Sequence, residues 1–255
     1  MRTTLYIALC IMFVTSSPLV LAQTLHSNQA TSIRYSSDTP LPPFAVGDQR
    51  DWSAQDLEML DTARNETNLS EREKNMIREV NYVRAYPTKY AALLSEYIQT
   101  RENIAQFFPT LADEMKDTIT ETRLLMEELK KIPAMGTLKS LACIHEAAKN
   151  QGKYLKDTHS FGHMGLNNST PNSRITQSCL ASSIQFQGTG ENLVFGSYTS
   201  IREALMSLLV DYGVEGRGHR YNILDRRWTY IGVGQFGEFI EGQQDSGWVQ
   251  DFGVN

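Results

Sequence analysis

The sequence predicts an α+β fold, and three observations carry that expectation. Apolar residues recur at helical spacing through most of the chain between residues 51 and 210. Two aromatic and β-branched runs, 228–236 (WTYIGVGQF) and 248–254 (WVQDFGV), then follow around a Gly- and Asp-containing turn, the pattern of a hairpin. No strand–helix–strand alternation of a doubly wound parallel sheet appears between them.

Helical signals start at Asp51, with Trp52, Leu57 and Leu60 spaced for one face. Ser70 and Glu73 form a capping-box pattern ahead of Met76, Ile77, Val80 and Val83, and Pro87 ends that segment. A second apolar stretch runs over 90–98. A helix is expected over 117–131, with Ile119, Leu125, Met126 and Leu129 on one side. The longest helix is expected over 138–155, with Leu141, Ala142, His145, Ala148 and Leu155 on one stripe. Residues 162–172, rich in Gly and Asn, read as a loop. Residues 200–210 read as a further helix through Ile201, Ala204, Leu205, Leu208 and Leu209.

Composition narrows the function classes. The 255 residues are 41% hydrophobic and 21% charged, ordinary for a water-soluble globular chain. With 24 Lys+Arg against 29 Asp+Glu, the chain shows no basic excess or stripe of the kind nucleic acids or anionic lipid surfaces select. Arg2 followed by the apolar run LYIALCIMFV and by Val20-Leu21-Ala22 reads as a secretory leader cut after Ala22, too short to span a bilayer. Residues 1–22 are thus an address and 23–50 a polar, Pro-containing extension. A single domain occupies 51–255, with no transmembrane segment after cleavage and a secreted or periplasmic location. Cleavage leaves Cys143 and Cys179, which in an oxidising compartment either form one bridge or remain two buried thiols.

The common catalytic signatures are missing: there is no G-x-S-x-G, no P-loop and no dinucleotide fingerprint. His145-Glu-Ala-Ala-Lys149 resembles a zincin helix but carries Lys where the second histidine ligand belongs, so His145 reads as a polar residue on a packed helix. Three Gly-rich clusters remain. They are FGHMG around His163, running on through STP to Arg174-Ile175; GENL around Glu191; and DYGV around Asp211, followed by GHRYNIL around His219. Each places a histidine or a carboxylate in a connection beside a helix, where binding and catalytic groups concentrate.

Taken in order, and with YIGVG and WVQDFG after them, these segments resemble the CAP domain. That superfamily comprises cysteine-rich secretory, antigen 5 and pathogenesis-related proteins and is also called SCP-like. The upstream EREKNMIREVNYVRAYPTKYA resembles the first helix of its secreted bacterial branch. The resemblance runs over residues 51–255. It implies an α-β-α sandwich with an antiparallel sheet between helical layers. It also implies a cleft of two histidines and two acids, carried over here as His163, Glu191, Asp211 and His219. Many members carry Glu where Asp211 stands, and His159 competes with His163 for its place. The several disulfides and the cysteine-rich tail of eukaryotic members are missing.

Such a set permits a divalent cation, zinc or calcium, held by His163 and His219, with the carboxylates either ligating it as well or orienting the rings. It equally permits a hydrogen-bonded scaffold joining the loops, or acid–base chemistry. No serine or cysteine nucleophile with its base and oxyanion hole is identifiable. The leading expectation is therefore a binding module for an unidentified ligand or protein partner. The alternative is a metal-assisted or acid–base hydrolase acting on peptide or cell-wall material. A lipid ligand is allowed by the resemblance alone.

Overall fold

The computed structural model describes residues 53–198, 200–237 and 245–255. The expected leader, the polar extension and Trp52 lie outside them, as does the turn of the C-terminal hairpin. The helices are α1 (Ala54–Leu60), α2 (Glu71–Ala85), α3 (Pro87–Phe107), α4 (Ala112–Leu129), α5 (Ala142–Thr158), α6 (Pro171–Ser178), α7 (Ile201–Val210) and α8 (Gly218–Leu224). The strands are β1 (Lys139–Ser140), β2 (Gly188–Ser197), β3 (Tyr230–Phe236) and β4 (Asp245–Val254). The α+β class expected from the pattern is the class observed.

Local chemistry sets several boundaries. Ser70 caps α2 through the expected box: its hydroxyl accepts from the Glu73 amide, and its own amide donates to the Glu73 carboxylate at 2.8 Å. Met76, Ile77, Val80 and Val83 on that helix are completely buried. Pro87 ends α2 and also opens α3, where a missing N–H costs nothing. At 21 residues, α3 is longer than α5, so the expected longest helix over 138–155 is replaced by a shorter one that starts at Ala142. Lys139 and Ser140 are drawn instead into β1. Asn81 of α2 reaches that segment, accepting from the Leu138 amide at 2.7 Å and donating to the Leu60 carbonyl at 2.9 Å.

The four strands run in the order β1-β3-β4-β2. β4 pairs antiparallel with β3 (Val233 opposite Gln250) and with β2 (Glu191 opposite Asp251). The short β1 pairs parallel with β3, so the sheet is mixed rather than purely antiparallel. The reason is connectivity, since β1 leads into α5 and returns to its neighbour only after a long crossover. GENL lies on β2, not in a Gly-rich connection as expected. The residues of 162–172 expected to be loop give way at Pro171 to α6, capped by the Thr170 hydroxyl.

Alternate residues of β4 divide between two cores. Trp248 and Phe252 join Ile231, Val233 and Val194 against α2 and α7, whereas Val249 packs with Leu193, Ala148 and Leu155 of α5. Helices therefore cover both faces. On the α5 face the contact is backbone to backbone. A Cβ on Gly232 would lie 2.4 Å from the Ile144 carbonyl carbon, and one on Gly234 would lie 2.6 Å from the Lys149 amide nitrogen. Only glycine at both steps of I-G-V-G lets the helix lie so close.

Beyond β1 the edge of β3 is closed by side chains rather than by another strand. The Val233 amide donates to His145 Nδ1 at 2.9 Å, and the Gln235 amide reaches the Glu73 carboxylate at 3.4 Å. Because Nδ1 accepts, the ring proton sits on Nε2 and is given to the Ser140 hydroxyl, 2.7 Å away. Burial pushes the His145 imidazole down to about 4. This histidine is a neutral edge cap, in accord with its reading as a packed polar residue.

The sign of its pH effect follows. Between about pH 6.5 and 4 the unfolded chain binds a proton at this position that the folded chain refuses, so stability falls as the solution is acidified through that window. The full effect is on the order of 3 kcal/mol. In urea unfolding, wild type should exceed His145→Gln in stability at pH 7, and that lead should shrink by about 2 kcal/mol near pH 5. Parallel pH dependence in the two proteins would show that this imidazole is not held neutral.

Candidate functional site

The four residues carried over from the motifs form two imidazole–carboxylate pairs. His163 stands on the loop between α5 and α6. Its Nδ1 lies 2.8 Å from Glu191 Oε1, with the carboxylate side chain 1% exposed and the ring 51% exposed. His219 stands in the first turn of α8. Its Nδ1 lies 2.7 Å from Asp211 Oδ1, again with a buried acid (2%) under a more accessible ring (21%).

Neighbouring elements hold the His163 loop by its main chain. Gln151 of α5, completely buried, donates to the Gly162 carbonyl at 2.9 Å. Arg174 of α6 donates to the carbonyls of His163 (3.0 Å) and Ser169 (2.8 Å), and its other terminal nitrogen pairs with Glu191 Oε2. A planar guanidinium suits this three-way task, whereas an ammonium offers no fixed fork. The Cys143–Cys179 bridge forms, with Cα atoms 5.1 Å apart, and ties the start of α5 to the end of α6. The segment it closes contains His163, and the crosslink contributes about 3–4 kcal/mol on the loop-entropy account.

The second pair is built from helix ends. Asp211 ends α7 in the left-handed conformation (φ 53°), which turns the chain toward α8. Its Oδ2 accepts the amides of His219 (2.9 Å) and Arg220 (3.3 Å), orphan donors at the start of that helix. Arg220 returns to the carbonyls of Leu209 and Val210 and pairs with Glu128 at 3.1 Å. Arg217 is engaged by Glu121. Both arginines flanking His219 are thus structural ion-pair partners, the reading favoured by their surroundings.

Asn192, next to Glu191 and completely buried, joins the two pairs. Its side chain donates to the His219 carbonyl at 3.2 Å and accepts from Asn222 at 2.8 Å, and Asn222 also reaches the Glu191 carbonyl. His159 forms no part of either pair; it ends α5 with φ 49°.

A carboxylate only accepts, so each Nδ1 carries a proton, and in the neutral ring Nε2 is the nitrogen with the lone pair. Phe161, Met164 and Leu166 near His163, and Tyr221 near His219, are exposed apolar side chains beside these nitrogens in sequence. Among the described residues no three His, Cys, Asp or Glu side chains gather so as to hold a metal ion by themselves. A cavity of about 590 Å³ between α2, α5 and β3, lined by Lys149, Lys153, Lys156 and Phe236 among others, includes none of the four residues.

Sequence reasoning left out Arg174, Gln151, Asn192 and Asp251 as site residues. Asp251 lies opposite Glu191 and is fully buried. Desolvation, and then the Glu191 charge, raise its carboxyl well above the ordinary carboxylate range, while Arg174 acts in the opposite sense. The signal was available: an acid between Val249 and Phe252 in a strand-like run is a charge where burial is expected.

No family model and no curated protein sequence matches the chain. Two solved structures are similar to it. An extracellular protein containing an SCP domain, from Bacillus anthracis, is 22% identical over 52% of this chain and 38% of that one, with a TM-score of 0.37. An outer surface protein from Borrelia burgdorferi is 20% identical over 55% of this chain and 96% of that one, with a TM-score of 0.39. The chain therefore spans well under half the length of the Bacillus protein.

The hold of Arg174 on the loop is testable without a ligand. Arg174→Lys keeps the charge but loses the fork, and should lower stability by about 1–3 kcal/mol. Amide exchange at Gly165 and Ser169, whose N–H groups bond within the loop, should rise with it. Unchanged exchange there would mean that the loop holds its shape without the guanidinium.

Proposed function

We propose that the chain is a secreted or periplasmic binding module of the CAP type, in which His163 and His219 present their Nε2 atoms to a divalent cation and through it to a ligand. The observation that carries this reading is the engagement of both rings at Nδ1 by buried carboxylates. Metal-binding imidazoles are oriented in this way, with the second nitrogen on a carboxylate or carbonyl. Zinc suits the site better than calcium, since the atoms left available are imidazole nitrogens and both carboxylates are committed to the rings. Two protein ligands leave several positions to water and to groups of the bound partner, which suits binding more than a closed structural ion. The exposed Phe161, Met164, Leu166 and Tyr221 offer apolar contacts to that partner, a peptide or protein segment. The leader pattern and the CAP-like motif order support export and family type.

The hydrolytic alternative shares the same groups and would have to activate water at an Nε2 atom, since Cys143 and Cys179 are bridged. Calorimetric titration with zinc tests the main reading. Wild type should bind, either His163→Ala or His219→Ala should remove most of the affinity, and the double variant should lose little more. Glu191→Gln should weaken binding by about 10–100-fold if that carboxylate orients its ring. Affinity should also fade in acid, where imidazoles protonate. Additive losses would mean two separate weak sites, and no heat from wild type would leave the pairs as a scaffold.

A further inference from the structure

We infer that Asp251 is a further residue of the site, a carboxylic acid that donates a hydrogen bond to the Glu191 carboxylate and thereby positions the acceptor on which His163 rests. The inference stands apart from any metal and concerns the floor beneath the His163 pair.

Placement comes first. Asp251 lies on β4, directly opposite Glu191 of β2 on one side and Gly232 of β3 on the other. Paired residues of neighbouring strands share a face, so all three point toward α5. Gly232 contributes no side chain, and the backbone of α5 at Ile144 and His145 closes over that position. No part of Asp251 is exposed. A carboxyl without exposed surface has no contact with bulk water.

Neither oxygen of Asp251 receives an N–H or hydroxyl from the protein among the described residues. Arg174, whose charge acts on Asp251, spends its terminal nitrogens on Glu191 and on the carbonyls of His163 and Ser169, and its buried Nε donates to no protein acceptor among the described residues, the Asp251 oxygens included. His145 turns its ring to Ser140 and Val233. The polar side chain that faces Asp251 across the ladder is Glu191, which is itself an acceptor. Two ionised carboxylates facing each other away from bulk solvent would repel strongly. One proton between them removes the conflict.

Glu191 is the member that stays ionised. Its two oxygens already accept from His163 Nδ1 and from Arg174, and both contacts favour charge. Asp251 has neither, and burial together with the neighbouring negative charge holds its proton on. The site is then neutral with neutral His163: Arg174 balances Glu191, and Asp251 contributes a donor but no charge. Glu191 gains a third hydrogen bond that fixes its carboxylate plane, and with it the direction of the His163 ring. Asp251 touches no ligand, and its role is positioning.

Infrared spectroscopy of the wild type near pH 7 tests the proton. A protonated-carboxyl C=O band should be present at neutral pH and absent in Asp251→Asn and Asp251→Leu. The pair of variants tests the positioning. Asp251→Asn keeps a donor to Glu191 without the acid, so the His163 imidazole resonances and their pH titration should stay close to wild type. Asp251→Leu removes the donor and should move both. Stability adds an arm that does not depend on the ring: as pH rises from about 4, folded Asp251 keeps a proton that the unfolded chain releases, so wild type should lose stability relative to Asp251→Asn. Absence of the band in wild type, or His163 signals in Asp251→Leu indistinguishable from wild type, would overturn the inference.

Discussion

The contact on which most of the structure depends is the close approach of α5 to β3 at Gly232 and Gly234. With no side chains between them, helix and strand share backbone surface, and every residue along α5 acquires a fixed height above the sheet. His145 then falls where the Val233 amide needs an acceptor. Gln151, almost two turns further on, falls where the His163 loop needs a donor. Cys143 at the helix start anchors α6 through Cys179, and α6 carries Arg174. A Cβ at either glycine would push the helix outward and disturb edge cap, loop tether and guanidinium together, an overpacking cost of about 1–3 kcal/mol before those losses.

Around the two imidazoles, each carboxylate that meets a ring has further partners. Asp211 is satisfied by two helix amides and a ring, and Glu191 by a ring and a guanidinium. Both pairs bury the acid and leave the ring the more accessible partner. The Asn192–Asn222 contacts carry this order from β2 to α8 without adding charge. Such a network is rigid only when complete, because a missing partner leaves another buried polar group unsatisfied.

Features written in local chemistry were legible in the sequence. The Ser70 box, the stripe of α2, the Ser200-capped α7 and the two paired C-terminal strands each rest on residues a few positions apart. Motif order rather than spacing singled out His163, Glu191, Asp211 and His219, which the fold joins as two imidazole–carboxylate pairs. What stayed hidden depends on distant partners. β2 contains three glycines within G-T-G-E-N-L-V-F-G and shows little strand propensity alone; its ladder with β4 makes it a strand. Two residues of β1 are too few to carry a period, and they were absorbed into the helix that follows. Thr170-Pro-Asn-Ser173 is a helix start that a Gly- and Asn-rich context concealed. Arg174 stands in the sequence only as the end of the His163 cluster and Asp251 only as part of a strand, until the fold brings one to pair with Glu191 and the other opposite it.

The strand order also bears on when this chain can fold. β4 sits between β3 and β2 but follows both in sequence, and β2 has no other strand neighbour among the described residues. As the polypeptide emerges, β2 must wait through α7, α8 and β3 before its partner exists. Glu191 waits with it, its ladder to Asp251 still unmade. Long-range pairing of this kind closes late and raises the entropic barrier to folding. A sheet whose centre arrives after its neighbours cannot close strand by strand, and its assembly waits on β4.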